Sequence, residues 1–226
     1  MTMTQYLLDV TLLTATSVNI EATHKAFLRC AQGIEFGAMK MLCSTLPMIT
    51  DPRVQYIHIP PINLRDYNRF MIETLNAHVE TGYCLIMQED GFILDPTHWN
   101  NQFMEYDYIG APWANYLLMS NGQVIRVDKN HVGNGGFSLR SKKLLEATSR
   151  LRFDRLNFPS KSEDLVICHY LYEDMRAVGI RFAPPQLAAQ FSIESTEGLY
   201  GQSFNSVFGF HGKHWLKSVP RNGPTY

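Results

Sequence analysis

The chain has 226 residues, of which 45% are hydrophobic and 12% aromatic, so it can form a sizeable core, most simply within one large domain. Its 20 Lys and Arg residues nearly balance its 21 Asp and Glu residues, which argues against nucleic-acid binding driven by bulk charge. The apolar runs are too short for a transmembrane helix, the N-terminus lacks the pattern of a secretory signal, and the four cysteines are scattered. These features predict a cytoplasmic protein with reduced thiols.

The first half of the chain alternates strand-like and helix-like segments. The predicted strands span residues 7–16, 38–43, 54–59 and 83–87, and the predicted helices span residues 19–32, with Asn19 as N-cap, and 66–80. Strands and helices alternating at this spacing favour βαβ units. We therefore expect an α/β fold with a mostly parallel central sheet flanked by helices on both faces.

The second half of the chain is less regular. Short strands are predicted at 107–111 and 124–127, a turn at 120–123, and helices at 141–149 and 162–178, while the tail from residue 192 reads as a loop. The whole pattern favours one α/β domain with an irregular second half.

Two adjacent carboxylates, Glu89 and Asp90, follow the apolar run of the fourth strand in "CLIMQEDGFIL". Open parallel sheets bind ligands at the carboxyl ends of their strands, and carboxylate oxygens there suit Mg²⁺ or Mn²⁺ on a substrate phosphate. A solvated turn is the alternative, since acidic residues beside glycine are common at strand ends.

The segment "HVGNGGFSLRSKKLL" contains three glycines, Gly133, Gly135 and Gly136, which allow either a close backbone approach to a ligand or a simple bend. It does not match a dinucleotide fingerprint or a P-loop. "DYIGAPW" places Trp113 after a proline, where its ring either covers the core or forms an apolar wall for a sugar or base.

The segment "PSKSEDLVICHYL" has the spacing of a capping box between Ser160 and Glu163. A helix N-terminus lowers a carboxylate pKa, so Asp164 would serve as a base only in a dry site with another carboxylate close by. In "FGFHGKHW", His211 is either a metal ligand or a histidine packed among aromatic rings, and His214 is expected at the surface.

In chain order, the segments "QEDGFIL", "YDYIGAPW", "VGNGGFSLRS", "SEDLVIC" and "FGFHG" resemble a family of glycosyltransferase-like proteins of bacteria and viruses, catalogued as a domain of unknown function. The resemblance covers residues 7–212 and implies a single GT-A domain, a Rossmann-like fold that binds a nucleotide-sugar. It implies a nucleotide-binding half over about 7–112, an acceptor and catalytic half over about 113–212, and a tail over 213–226.

The resemblance also implies roles for individual residues. Asp90 and His211 would hold Mn²⁺ or Mg²⁺ on the donor diphosphate, although Gln88 stands where the family's D-x-D motif has its first aspartate. Asp164 would be the catalytic base, with Glu163 beside it. The residues implied to bind the donor are Thr14, Thr16, Gln88, Glu89, Asp90, Gly135 and Gly136, and those implied on the acceptor side are Trp113 and Asn134.

The expected function is a cytoplasmic, metal-dependent hexosyl- or deoxyhexosyltransferase. It would move a sugar from a UDP- or GDP-sugar to a glycan or glycoconjugate acceptor during assembly of a surface polysaccharide or glycan. A base at Asp164 implies inversion at the anomeric carbon, and retention stays open. One rival is a non-catalytic nucleotide-sugar or carbohydrate-binding protein of the same fold. A nucleotidyltransferase is disfavoured because "LLTATSVNIEAT" lacks a glycine-rich, basic phosphate loop.

Overall fold

A mixed sheet of six strands forms the centre of the computed structural model, which describes residues 4–119, 122–195 and 198–219. The strands of the protein, in chain order, are β1 (Gln5–Thr16), β2 (Ile34–Cys43), β3 (Gln55–His58), β4 (Tyr83–Ile86), β5 (Tyr108–Ile109), β6 (Tyr116–Leu118), β7 (Val124–Arg126), β8 (Ser138–Ser141), β9 (Ser192–Ile193) and β10 (Gly209–Phe210). The central sheet has the order β3-β2-β1-β4-β8-β5, while β6 pairs with β7 and β9 with β10.

The first four strands of the central sheet run parallel to one another, as the alternating sequence pattern predicts. β8 lies antiparallel between β4 and β5. A mixed α/β domain with a mostly parallel sheet is thereby confirmed. β8 falls within the glycine-rich segment, for which the sequence predicts no strand.

Helices and single turns cover the sheet. The α-helices are α1 (Ile20–Cys30), α2 (Leu64–Arg69), α3 (Lys142–Ser149), α4 (Glu163–Leu165), α5 (Tyr172–Ala177) and α6 (Pro185–Phe191). α2 continues through a π turn (Phe70–Thr74) and a 3-10 turn (Leu75–His78), and a second π turn (Val166–Tyr170) joins α4 to α5. The remaining 3-10 turns are Pro96–His98, Asn101–Glu105, Phe153–Arg155, Phe204–Ser206 and Lys213–Lys217. The helix predicted over 162–178 is therefore interrupted.

The core lies on both faces of the sheet. Leu12 and Leu13, consecutive residues of β1, are fully buried and belong to two different apolar clusters. Leu12 packs in the larger cluster with Phe27 of α1, and Leu13 in the smaller one with Leu75. Because side chains alternate along a strand, this division shows that β1 is covered on both sides, as a central parallel strand must be.

Neither predicted side-chain cap forms. Asn19 is at the N-cap position of α1, as predicted, but it has a left-handed backbone (φ 49°) and its side chain makes no capping hydrogen bond. The side-chain nitrogen Nδ2 of Asn19 instead donates to Glu89 Oε1. Ser160 accepts a hydrogen bond from the backbone of Ser162, and the Glu163 carboxylate turns to a buried arginine, so the capping box does not form. In both places a long-range polar partner replaces the local one.

Other predictions hold or fall outside the described residues. Ser141 caps α3 by accepting from Leu144 N at 3.1 Å, in agreement with the predicted helix start. All four cysteines are buried and free. No helix within the described ranges is both long and apolar enough to span a membrane. The predicted turn at 120–123 lies partly outside the described residues.

Candidate active site

Glu89 and Asp90 are the two central residues of a tight turn that directly follows β4. The turn is closed by two backbone hydrogen bonds between Gln88 and Gly91, of 3.1 and 3.0 Å. β4 runs parallel to β1, so the turn lies at the carboxyl edge of the parallel part of the sheet, where open α/β sheets bind ligands. The Asp90 side chain is only 14% exposed, which distinguishes it from the carboxylate of a solvated turn.

His211 reaches this turn through backbone pairing. Gly209 of β10 bridges Ile93, and Gly212 N donates to Asp90 O at 2.7 Å. The segment around His211 is therefore laid along the segment that follows the turn. As a result, His211 Nε2 lies 3.6 Å from Asp90 Oδ1, which brings the two predicted metal ligands together.

Gln88 supplies a third atom at the same place. Its Oε1 lies 3.1 Å from His211 Nε2, and its Nε2 donates to the Tyr67 hydroxyl at 2.8 Å, which fixes the orientation of the amide. No group of three His, Cys, Asp or Glu side chains arranged to hold a metal occurs among the described residues. Two oxygens and an imidazole nitrogen nevertheless converge here, a donor set that suits Mg²⁺ or Mn²⁺ when substrate phosphates complete it.

The glycine-rich segment packs tightly against these side chains. A Cβ on Gly136 would lie 2.1 Å from His211 Nε2, and a Cβ on Gly135 would lie 1.7 Å from Glu163 Oε1. Any side chain at either position would displace a functional group. The two glycines, predicted to contact the donor, are thus required first for the close approach of backbone to His211 and Glu163.

Glu163 forms a buried ion pair with Arg140. Both of its carboxylate oxygens lie 3.0 Å from Arg140 Nη2, and the two side chains are 4% and 0% exposed. The Glu163 backbone N–H also donates to Asn68 Oδ1 at 2.9 Å. A carboxylate held in this way is not free to accept a proton from a substrate, so its predicted catalytic role gives way to a structural one. Arg140, although part of the quoted "GNGGFSLR" motif, was not among the predicted site residues.

The surroundings of Asp164 raise the pKa of its carboxyl. Burial raises the pKa of its carboxyl to about 7, and the negative charges of Glu163 and Glu194 add to the effect. Hydrogen bonds from Leu165 N (2.8 Å) and Gly135 N (3.2 Å) oppose the shift without cancelling it. The lowering expected from a helix N-terminus is therefore outweighed. A carboxylate with a pKa near neutral can take a proton efficiently at neutral pH.

Glu194, which sequence reasoning missed, borders both functional groups. Its Oε1 lies 3.1 Å from His211 Nδ1. Burial would lower the pKa of His211, but the hydrogen bond and charge of Glu194, with the charges of Asp90 and Asp164, raise it instead. Three carboxylates thus face one imidazole, and the group carries an excess of negative charge.

The other predicted site residues lie elsewhere or act differently. Thr14 is buried in β1, and Thr16 Oγ1 donates to Val18 O in a local turn. Trp113, 3% exposed, packs its ring against Gly133 in the core rather than lining a pocket. Asn134 is 2% exposed and faces His211, so neither predicted acceptor-side residue presents a surface to an acceptor.

Glu89 belongs to a separate small network. Its Oε1 accepts from Asn19 Nδ2 at 3.0 Å and lies 3.6 Å from Lys213 Nζ. Its side chain is directed to the rim of the site, whereas that of Asp90 faces His211. Of the two acidic residues in the turn, only Asp90 joins the carboxylate–imidazole group. His214 is exposed, as predicted.

The fold defined here is the GT-A glycosyltransferase fold. The chain aligns with an active-site mutant of LgtC at 13% identity, covering 94% of this chain and 92% of that one, with a TM-score of 0.53. It also aligns with the galactosyltransferase LgtC in complex with donor and acceptor sugar analogues (14% identity, 90% and 87% coverage, TM-score 0.49). A third similar structure is a glycosyltransferase involved in glycosylation of the major capsid of PBCV-1 (11% identity, 90% and 92% coverage, TM-score 0.46).

A match of the sequence to a family model identifies the family of this chain. Residues 54–211, more than half of the chain, match the family described as "Protein of unknown function (DUF5672)", and the chain belongs to that family. No curated protein matches the sequence. The expected GT-A fold is confirmed, while the family description carries no activity.

The Arg140–Glu163 pair yields a stability prediction. Replacing Glu163 by Gln leaves the buried Arg140 charge uncompensated, and loss of one partner of such a pair costs about 3–5 kcal/mol of unfolding free energy. Urea denaturation followed by circular dichroism measures this loss. The matched control is Glu173→Gln, which removes an exposed carboxylate 3.8 Å from Arg176 and should change stability very little. Equal, small effects of both substitutions would show that the buried pair is not required.

The raised pKa of Asp164 predicts a specific pH dependence of stability in EDTA. Folding raises this pKa from the unfolded value of about 3.9 to about 7. The folded state therefore binds the proton more tightly, and this contribution to stability is lost as pH rises from about 4 through about 7.

The amide introduced by Asp164→Asn does not titrate, so this variant does not lose stability in that way as pH rises. Its Tm relative to wild type should increase between pH 5 and pH 8 in a thermal denaturation series. Asp174→Asn, on an exposed position of α5, serves as the control. A Tm difference for Asp164→Asn that stays constant over this range would contradict the proposed environment of the carboxyl.

Proposed function

We propose that the protein is a glycosyltransferase that moves a hexosyl or deoxyhexosyl group from a UDP- or GDP-sugar to a hydroxyl of a glycan or glycoconjugate. The observation that carries the proposal is the placement of Asp164, with its pKa of about 7, next to the group formed by Asp90, Glu194 and His211. This arrangement lies at the carboxyl edge of a GT-A sheet. Assembly of a surface polysaccharide or glycan is the setting that the family resemblance suggests.

The donor set supports a divalent cation. Asp90 Oδ1, Gln88 Oε1 and His211 Nε2 would hold Mn²⁺ or Mg²⁺, with the donor diphosphate completing the shell. When bound, the cation offsets the negative charge that develops on the departing nucleoside diphosphate. The excess of carboxylates around His211 favours such a cation electrostatically. The neutral Gln88 amide, in place of an aspartate, makes the protein ligands one charge less negative and should weaken the affinity.

Asp164 supplies the proton-transfer step. Its carboxylate would accept the proton of the acceptor hydroxyl as that oxygen attacks the anomeric carbon, while Gly135 N–H steadies the other carboxylate oxygen. Attack from the face opposite the leaving group inverts the anomeric centre. A retaining transfer would need no such base, so the Asp164→Asn variant distinguishes an inverting transfer from a retaining one.

The first test concerns Asp90. Asp90→Asn removes the one anionic ligand of the cation, so it should abolish most of the Mn²⁺-dependent stabilisation by UDP, GDP or their sugars in a thermal-shift panel. Glu35→Gln, an exposed carboxylate on β2, is the matched control and should behave as wild type. Unchanged Mn²⁺-dependent nucleotide binding in Asp90→Asn would remove Asp90 from the site.

The second test concerns Asp164. Asp164→Asn should lower sugar transfer by about 10²- to 10⁴-fold, the contribution typical of a general base, while donor binding is kept. Product analysis by mass spectrometry and NMR gives both the rate and the anomeric configuration. If Asp164→Asn still transfers the sugar and the product keeps the anomeric configuration of the donor, the transfer is retaining and the inverting mechanism is wrong. Donor binding without turnover of any donor in wild type would favour the rival, a non-catalytic nucleotide-sugar-binding protein.

A further inference from the structure

His211 Nδ1 has two polar neighbours that require opposite positions of the ring proton. Asn134 Nδ2, a donor, lies 2.9 Å from Nδ1 and requires Nδ1 to be unprotonated. Glu194 Oε1, an acceptor, lies 3.1 Å from the same nitrogen and requires it to carry the proton. In the neutral ring only one nitrogen is protonated, so the two contacts stabilise different tautomers.

One chain of hydrogen bonds favours a proton on Nε2. Phe137 N donates to Asn134 Oδ1 at 3.2 Å, so the Asn134 amide presents its NH₂ group to His211 Nδ1. Asn134 is further fixed by its left-handed backbone (φ 60°), a conformation that asparagine tolerates. On the other side of the ring, the bond from Gln88 Nε2 to Tyr67 leaves Gln88 Oε1 to accept from His211 Nε2.

That tautomer cannot bind a cation. An Nε2 that carries a proton has no lone pair to offer, and its hydrogen bond occupies Gln88 Oε1 as well. Two of the three donor atoms proposed for the cation are therefore engaged with each other. Both are released at once when the proton moves to Nδ1.

Glu194 favours the tautomer that carries the proton on Nδ1, and hydrogen bonds to its backbone hold it beside the ring. Its backbone carbonyl accepts from His214 Nε2 at 3.0 Å and from Trp215 Nε1, and His211 N donates to the adjacent Ile193 O at 2.9 Å. The carboxylate therefore stays beside the ring. Metal-binding histidines commonly donate their second N–H to such a carboxylate, which fixes the tautomer and increases ligand basicity.

We propose that Glu194 is a positioning residue that makes His211 a ligand for the divalent cation, and that Asn134 opposes it by holding the ring as a donor to Gln88. The proposal rests on the proposed function in so far as it places the cation at Asp90 and His211. In the neutral ring, Nε2 releases its proton to water and Nδ1 takes one up, so the change is balanced with no net proton transfer.

The two residues should therefore affect Mn²⁺ affinity in opposite directions. Glu194→Gln should weaken binding by about 10- to 100-fold, the usual effect of losing such a partner. Asn134→Gly keeps the left-handed backbone accessible and should tighten binding, and an affinity equal to that of wild type would contradict the role of Asn134. Electron paramagnetic resonance of free Mn²⁺, in the presence of UDP, measures all three affinities, and circular dichroism confirms that each variant is folded.

A spectroscopic measurement reports the tautomer directly. At a pH above the raised pKa of His211, where the ring is neutral, ¹H–¹⁵N correlation spectra should show the proton on Nε2 in wild type without metal and on Nδ1 after Mg²⁺ and UDP are added. In Glu194→Gln the shift to Nδ1 should be lost or require far more Mg²⁺. A proton that stays on Nε2 in Mg²⁺-loaded wild type, or equal Mn²⁺ affinities for Glu194→Gln and wild type, would overturn the proposal.

The outcomes separate this inference from the proposed function. If wild type binds neither Mn²⁺ nor Mg²⁺ yet transfers a sugar in EDTA, the role of Glu194 is refuted and the glycosyltransferase stands. If the two variants behave as expected but no nucleotide-sugar is turned over, the role of Glu194 stands and the catalytic function is refuted.

Discussion

Three carboxylates and one imidazole share a small, partly buried space at the carboxyl edge of the sheet, and this imbalance of charge is the constraint on which the rest of the site depends. Asp90, Asp164 and Glu194 all act on His211, whose pKa is raised despite burial. Like charges brought together out of water must be relieved by a proton or by a cation. At Asp164 this repulsion raises the pKa of the carboxyl to about 7, which favours uptake of a proton there. We infer that the remaining charge is relieved by a bound cation.

The fold concentrates this charge while keeping the surrounding structure stable. Arg140 neutralises Glu163, the carboxylate next to Asp164, within the core, and the two glycines at 135 and 136 let the backbone pass between these groups. The result is a pair of adjacent acidic residues with different roles. Glu163 is held in a buried ion pair with Arg140, whereas burial and neighbouring negative charges raise the pKa of Asp164. A pair of carboxylates whose environments drive their roles apart is a recurring way to set up acid–base chemistry.

Sequence periodicity was sufficient for the parallel part of the sheet because β1, β2 and β4 contain clear apolar runs, and helical periodicity follows β1 and precedes β4. It missed β8, since a strand that follows three glycines has no clear alternation. It also missed β9 and β10, which are only two residues each, too short to show any period. These two strands carry Glu194 and His211 to the site, so the part of the fold that completes the site left no local signal.

The site residues were predicted where a motif or a strand end marked them, as for Asp90, Asp164 and His211. Roles that depend on a distant partner were not predictable. The spacing of Glu163 from Ser160 indicated a capping box, but in the structure its carboxylate pairs with Arg140, 23 positions away in sequence. Trp113 offered two interpretations, and only its burial against Gly133 decided between them. Local chemistry can be read from a sequence, whereas burial and long-range pairing require the folded chain.

The pH dependence of sugar transfer tests the central claim most directly, because it reports the protonation of the base during the reaction. With a saturating nucleotide-sugar, acceptor and Mn²⁺, the account predicts a transfer rate that rises with pH as one group loses its proton, is half-maximal near pH 7, the pKa of Asp164, and levels off about one pH unit higher. A rate that is independent of pH from 5 to 8 would contradict the account, since no carboxyl with a raised pKa would then be acting as the base.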